Sequence, residues 1–107
     1  MTLDEYQELA SRTGNKTIGA ESAMLNAALG LCGEAGEAGE HIKKFAFHGK
    51  GLDVEAYAKE LGDVLWYLAE CASVNGLSLN DIAEMNIAKL AKRWPEGFGV
   101  AHEESGP

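Results

Sequence analysis

Apolar positions recur at helical spacing along most of the chain, and the residues that interrupt them are those that start and stop helices. Thr2, followed three residues later by Glu5, is a capping-box pattern that predicts a first helix to about Arg12 with Tyr6, Leu9 and Ala10 inside. Thr13-Gly14-Asn15-Lys16-Thr17 reads as a loop. A long second helix begins near Ala20 or Glu21 and continues to about Phe47, where His48-Gly49-Lys50-Gly51 breaks it. Asp53 is the N-cap of a third helix that ends around Asn75-Gly76. Ser78, with Asp81 three residues on, caps a fourth helix stopped by Pro95 after Trp94. No segment carries a sheet signal and no tandem repeat of domain scale is present. The pattern predicts an all-α, four-helix bundle over residues 1–98 as one domain. Residues 99–107 have too few apolar side chains to pack and are expected to form a flexible tail.

The two long helices carry the informative polar residues. At about 100° per residue, the second helix has an apolar arc of Met24, Leu31, Ala35, Ala38, Ile42 and Phe45. Glu34 falls at one edge of it and Glu37 about 60° further out. On the third helix the arc is Tyr57, Leu61, Val64, Leu65, Leu68 and Ala72, with Glu60 at the edge and Asp63 about 60° outward in the same sense. Two antiparallel helices packed through these arcs are related by an approximate two-fold axis, which brings the four acids together. Glu-x-x-Glu pairs are common on solvated helix faces. Two pairs with the same offset from two apolar stripes are a more particular pattern. Converging carboxylates repel one another, so they bind cations or take up protons. All-oxygen ligation suits Mg²⁺, with Mn²⁺ as a possible substitute, and no Glu-x-x-His element of the di-iron bundles is present. Gly30, Gly33, Gly36 and Gly39 recur every third residue on the same helix, at a cost of about 1 kcal/mol each against alanine. Close helix packing explains such a stripe, and so does space for a bulky ligand beside Glu34 and Glu37.

A formal net charge of −8 argues against a nucleic-acid polymer or an anionic membrane as partner, but not against a small polyanion bridged by divalent cations. No apolar run approaches the roughly 20 residues that span a bilayer. The acidic start, Met1-Thr2-Leu3-Asp4-Glu5-Tyr6, lacks the basic and apolar regions of a secretory signal. The expected location is therefore the cytoplasm. Cys32 and Cys71 both lie in apolar helical patterns and are expected to be buried free thiols.

Candidate partners for phosphate are Lys43 and Lys44 at the end of the second helix, and the ridge Asn86, Lys89, Arg93 on the fourth. The ridge flanks an apolar arc of Leu79, Ala83, Ile87, Leu90 and Trp94. A nucleobase needs a flat apolar surface, for which Trp66, Tyr67, Trp94 and Phe98 are candidates. Trp66 points away from the apolar arc of its helix, so it should meet a partner subunit or a base.

Glu34-x-x-Glu37, about 22 residues, then Glu60-x-x-Asp63 followed by Val-Leu-Trp-Tyr-Leu resembles the signature of the MazG-like nucleoside triphosphate pyrophosphohydrolases. The flanks are similar too: Leu29-Gly30-Leu31, Lys43-Lys44, and Asn86-x-x-Lys89-x-x-x-Arg93-Trp94-Pro95-x-Gly97-Phe98. The resemblance implies Mg²⁺-dependent hydrolysis of a nucleoside triphosphate between its α- and β-phosphates, giving monophosphate and pyrophosphate. It assigns Glu34, Glu37, Glu60 and Asp63 to metal, and Glu37 or Glu34 to the attacking water. It brings Asn86, Lys89 and Arg93 to sugar and phosphates, and implies a homodimer or homotetramer joined through the long helices. The alternatives are a relative narrowed to dUTP, dCTP or phosphoribosyl-ATP, and a non-catalytic helical module that binds metal or a protein.

Overall fold

The computed structural model describes residues 1–97. They form α1 (Leu3–Ser11), α2 (Ala20–Phe47), α3 (Val54–Val74) and α4 (Leu79–Arg93), with no strand among the described residues. The expected all-α fold and its helix boundaries are therefore found, while Phe98 and the tail 99–107 lie outside the described residues.

The predicted start signals act as expected. Thr2 and Glu5 make the reciprocal capping box. The Asp53 side chain accepts from the Ala56 N–H, and the Ser78 hydroxyl accepts from the Asp81 N–H. Gly76, at φ +68°, closes α3 in a Schellman turn: the Leu77 N–H donates to the Ala72 carbonyl and the Gly76 N–H to that of Ser73.

α3 is the middle layer, packed on α2 along one side and on α1 along the other. α1 also ties down the turn into α4. The Gln7 amide donates to the Ser73 hydroxyl (3.0 Å) and the Leu77 carbonyl (2.9 Å) and accepts from the Leu79 N–H (2.7 Å). Asp4 Oδ1 accepts from the Ser78 hydroxyl and the Asn80 N–H, placing a carboxylate at the N-terminus of α4. The described ion pairs are exposed links within single helices, which contribute little to stability.

The seam between α2 and α3 is not the one the large apolar residues outline. On α2 the covered positions are Ala27, Gly30, Leu31, Glu34, Ala38 and His41, while Met24, Ala35, Ile42 and Phe45 are exposed. On α3, Leu61 and Leu68 are exposed, and Glu60, Val64, Tyr67 and Cys71 lie towards α2. The physical reason is size. Small residues on α2 let α3 approach, so the contact rotates towards the glycine–alanine side and moves the first acid of each pair inward. Gly30 makes this explicit, because an added Cβ would collide with the Tyr67 ring. At Gly33, Gly36 and Gly39 a Cβ would meet nothing within 4 Å. Close packing thus accounts for one of the four glycines within the chain. The same rotation explains the thiols. Both cysteines are free, but Cys32 is exposed and Cys71 half-covered, correcting the expectation that both are buried.

Among the described residues the buried core is small: Ala10, Ala27, Ala38, Ala69, Ala72 and Leu79. The radius of gyration, 16.7 Å, exceeds the roughly 13 Å of a compact chain of this size. α4 contributes to this openness, since it packs on α1 and leaves Met85 and Ile87 mostly exposed.

Candidate metal and phosphate site

Antiparallel packing of α2 on α3 brings Glu34, Glu37 and Glu60 together, with one carboxylate oxygen of each inside a 4.8 Å cluster. Glu34 and Glu60 are half-covered in the seam and Glu37 is exposed at its mouth. Asp63, exposed on α3 one turn beyond Glu60, is outside that cluster, yet its charge reaches both Glu34 and Tyr6 of α1. Asp63 adds to burial in raising the Tyr6 phenol.

The acids of the seam act on one another. The Glu34 carboxyl is pushed up to about 7, first by a hydrogen bond shared with Glu60, then by burial and by the charges of Glu37, Glu60 and Asp63. Glu34 Oε2 and Glu60 Oε2 are buried and have no hydrogen-bond donor among the described residues. Carboxylate oxygens in this condition hold a proton between them or ligate a cation. The donor set is all oxygen, which matches a hard divalent ion. On both counts the residues fit a metal.

The predicted cations are distributed unevenly. Lys44 lines a recess of about 270 Å³ that continues from the cluster, together with Glu37, Glu40, His41 and Glu60. Lys43 does not line the recess, but its ammonium lies 3.8 Å from the lining residue Glu40. Asn86 and Lys89 are exposed on α4, and Arg93 is half-covered near its end. None of these three lines the recess. Trp66 is held inside the chain. Its Nε1–H donates to the Thr13 hydroxyl (2.8 Å), and its ring stands edge-on to Tyr67 at 4.9 Å. The polar edge expected to meet a partner or base meets the loop after α1.

His41, Glu40 and Tyr57 are neighbours of the site that the sequence reading passed over. His41 lies 6.1 Å from Tyr57, ring centre to ring centre, across the seam. The signal was present, since His41 and Lys44 follow Glu37 at i+4 and i+7 and so share its face. Glu70 is a further half-covered acid, with a buried Oε1 lacking a donor among the described residues and Oε2 close beside Gly14.

Fold and site together define an all-helical protein whose two longest helices hold a carboxylate cluster able to take a cation. Residues 22–98 match the MazG nucleotide pyrophosphohydrolase domain, and the chain belongs to that family. Its members generally use a divalent metal. The chain is also 32% identical over 108 residues to the Gene 37 protein of Mycobacterium phage L5, covering 91% of this chain and 92% of that one. That name states no activity. No solved structure matches the chain significantly. No helix among the described residues is long and apolar enough to cross a membrane.

Proposed function

We propose that the protein is a Mg²⁺-dependent nucleotide pyrophosphohydrolase that cleaves (d)NTPs between the α- and β-phosphates to (d)NMP and pyrophosphate. The observation that carries this reading is the pair of buried, donorless oxygens, Glu34 Oε2 and Glu60 Oε2, within a three-carboxylate cluster of a MazG chain. Glu34, Glu37 and Glu60 hold the ion, and Asp63 adds negative charge beside it. When bound, Mg²⁺ supplies charge neutralisation for the phosphates and Lewis acidity. Glu37 is the exposed acid of the three and the one free to orient water or take its proton. Lys44 supplies a cation to the phosphates from the recess. Lys43, Asn86, Lys89 and Arg93 serve the substrate from outside the cluster.

A second copy of the chain belongs to this reading. Met24, Ala35 and Ile42 of α2, with Leu61 and Leu68 of α3, flank the seam on the side opposite Glu37 and Asp63 by helical spacing. All five are exposed in the single chain. An apolar surface built from the two longest helices fits an isologous interface between copies. By the same spacing Gly39, where an added Cβ would meet nothing within 4 Å, lies next to this surface.

The test is pyrophosphate release from a panel of canonical and modified (d)NTPs with Mg²⁺, with Mn²⁺ and with EDTA. Metal-dependent release, lost in Glu37→Gln and Asp63→Asn with the helical spectrum unchanged, is the expected result. Full activity in both variants would overturn the site assignment. Failure of every substrate would leave a metal-binding helical module. A fully active monomer in sedimentation would remove the oligomer.

A further inference from the structure

The recess beside the carboxylates has a shape and chemistry of its own. Its volume of about 270 Å³ is below the roughly 300–1,000 Å³ of pockets that enclose a drug-sized ligand, so it suits a fragment of a nucleotide rather than the whole. Its walls change character along α2. Glu37 and Glu60 stand at the end shared with the cluster, and His41 and Lys44 follow one and two turns later, about 6 and 10.5 Å along the axis. A metal-bound phosphate chain lying along α2 therefore leaves carboxylate surroundings and meets an imidazole and then an ammonium. Tyr57, across the seam, keeps the imidazole at the wall.

We propose that this recess is the subsite for the terminal pyrophosphate moiety, and that His41 is a specificity-determining residue that donates a hydrogen bond to it. The inference rests on the hydrolase reading above and names the part of the substrate that each end of the site takes. The imidazole has an N–H donor in either neutral tautomer, so the role needs no change of protonation. Three of the five lining residues are acids, so an anion enters only with a cation on Glu37 and Glu60. The subsite therefore takes up pyrophosphate in the presence of metal and not in its absence. A diphosphate substrate has one phosphate fewer to place there, so His41 discriminates triphosphates from diphosphates.

The experiment is calorimetric titration of the full chain, first with Mn²⁺ alone and then, in Mn²⁺, with inorganic pyrophosphate. The proteins are wild type, His41→Ala, His41→Gln and Lys44→Gln. A lost hydrogen bond to a charged group predicts pyrophosphate binding at least about tenfold weaker in His41→Ala and Lys44→Gln, partly restored in His41→Gln. Mn²⁺ affinity is expected to be unchanged in all of them. The His41 ring resonances should move on adding pyrophosphate with Mn²⁺ and not with EDTA. Lys44 is exposed, so its variant tests the subsite even where the half-buried His41 does not tolerate replacement. Equal pyrophosphate affinity in all folded variants, or Mn²⁺ uptake without pyrophosphate binding, overturns the subsite and leaves the hydrolase reading standing. A wild-type chain that takes up no Mn²⁺ overturns both.

Discussion

Replacing Gly30 with alanine tests the seam on which the site depends. An added Cβ would lie 2.5 Å from Tyr67 Cζ and nearer still to Cε1 and Cδ1, where real Cβ atoms keep at least 3.0 Å. The ring must retreat by roughly 1 Å or α3 must move away. Retreat is obstructed, because Tyr67 stands edge-on to Trp66, and Trp66 is tied to Thr13. Overpacking of this kind costs about 1–3 kcal/mol, and the better helix propensity of alanine returns about 1 kcal/mol. Gly33→Ala and Gly62→Ala add a Cβ with nothing within 4 Å, so they keep the propensity gain of about 1 kcal/mol. The two classes should differ by about 1–3 kcal/mol, and each kcal/mol corresponds to roughly 4–8 °C in a domain of this size. Thermal unfolding followed by circular dichroism, in EDTA and at one fixed chain concentration, measures this. Tyr67→Leu should remove most of the Gly30→Ala penalty. Because Gly30 sits one turn before Glu34, the variant should also weaken Mn²⁺ binding. A Gly30→Ala protein that melts with Gly33→Ala, in both backgrounds, would show that the helices do not meet at this distance and would refute the argument.

Other expectations follow from single contacts. Glu34 holds its proton more tightly in the fold, at about 7 against an ordinary 4.5, so its contribution to stability is complete below about 4.5 and is lost as pH rises through 7. Melting temperature in EDTA should therefore fall between about pH 5 and 8 in wild type, and less in Glu34→Gln. Mn²⁺ affinity should rise over the same interval, because proton and cation compete for one oxygen cluster. Gln7→Ala strips a partner from the Leu79 N–H and two more bonds across the α3–α4 turn, and should cost about 1–3 kcal/mol in denaturant unfolding. Trp66→Phe removes the bond to Thr13 and should cost about 1 kcal/mol, with KM for any nucleotide unchanged. A raised KM would return the indole to the substrate.

Much of this architecture was legible because helix ends are written locally. Thr2, Asp53, Ser78 and Gly76 each satisfy or release backbone groups within a few residues, so their roles do not depend on the rest of the fold. The approach of Glu34, Glu37 and Glu60 was legible for a related reason: rotational offset along a helix is fixed by its geometry. The rotation of one helix against its neighbour was not. Large apolar residues marked a plausible arc, but Met24, Ile42 and Leu61 lie beside the seam, and a reading from one chain cannot tell a core stripe from a surface shared between copies. The placement of α4, and with it Asn86 and Lys89, depends on contacts through Asp4 and Gln7 that no periodicity reports.

The small residues and the acids are parts of one arrangement. A helix seam closed by Leu and Ile would place two carboxylates at its edge, where water could solvate both. A seam closed through Ala27, Gly30 and Ala38 draws Glu34 and Glu60 inward until an oxygen of each is out of water with no donor to meet it among the described residues. Folding then works against charge repulsion, and the chain retains a proton to relieve it. In the proposed metal-bound state a cation would take the place of that proton and stabilise the fold in its turn. On the proposed reading, the glycine that costs helix propensity at position 30 and the acid that costs desolvation at position 34 serve the same end, a site with greater affinity for a divalent ion than two exposed pairs would have.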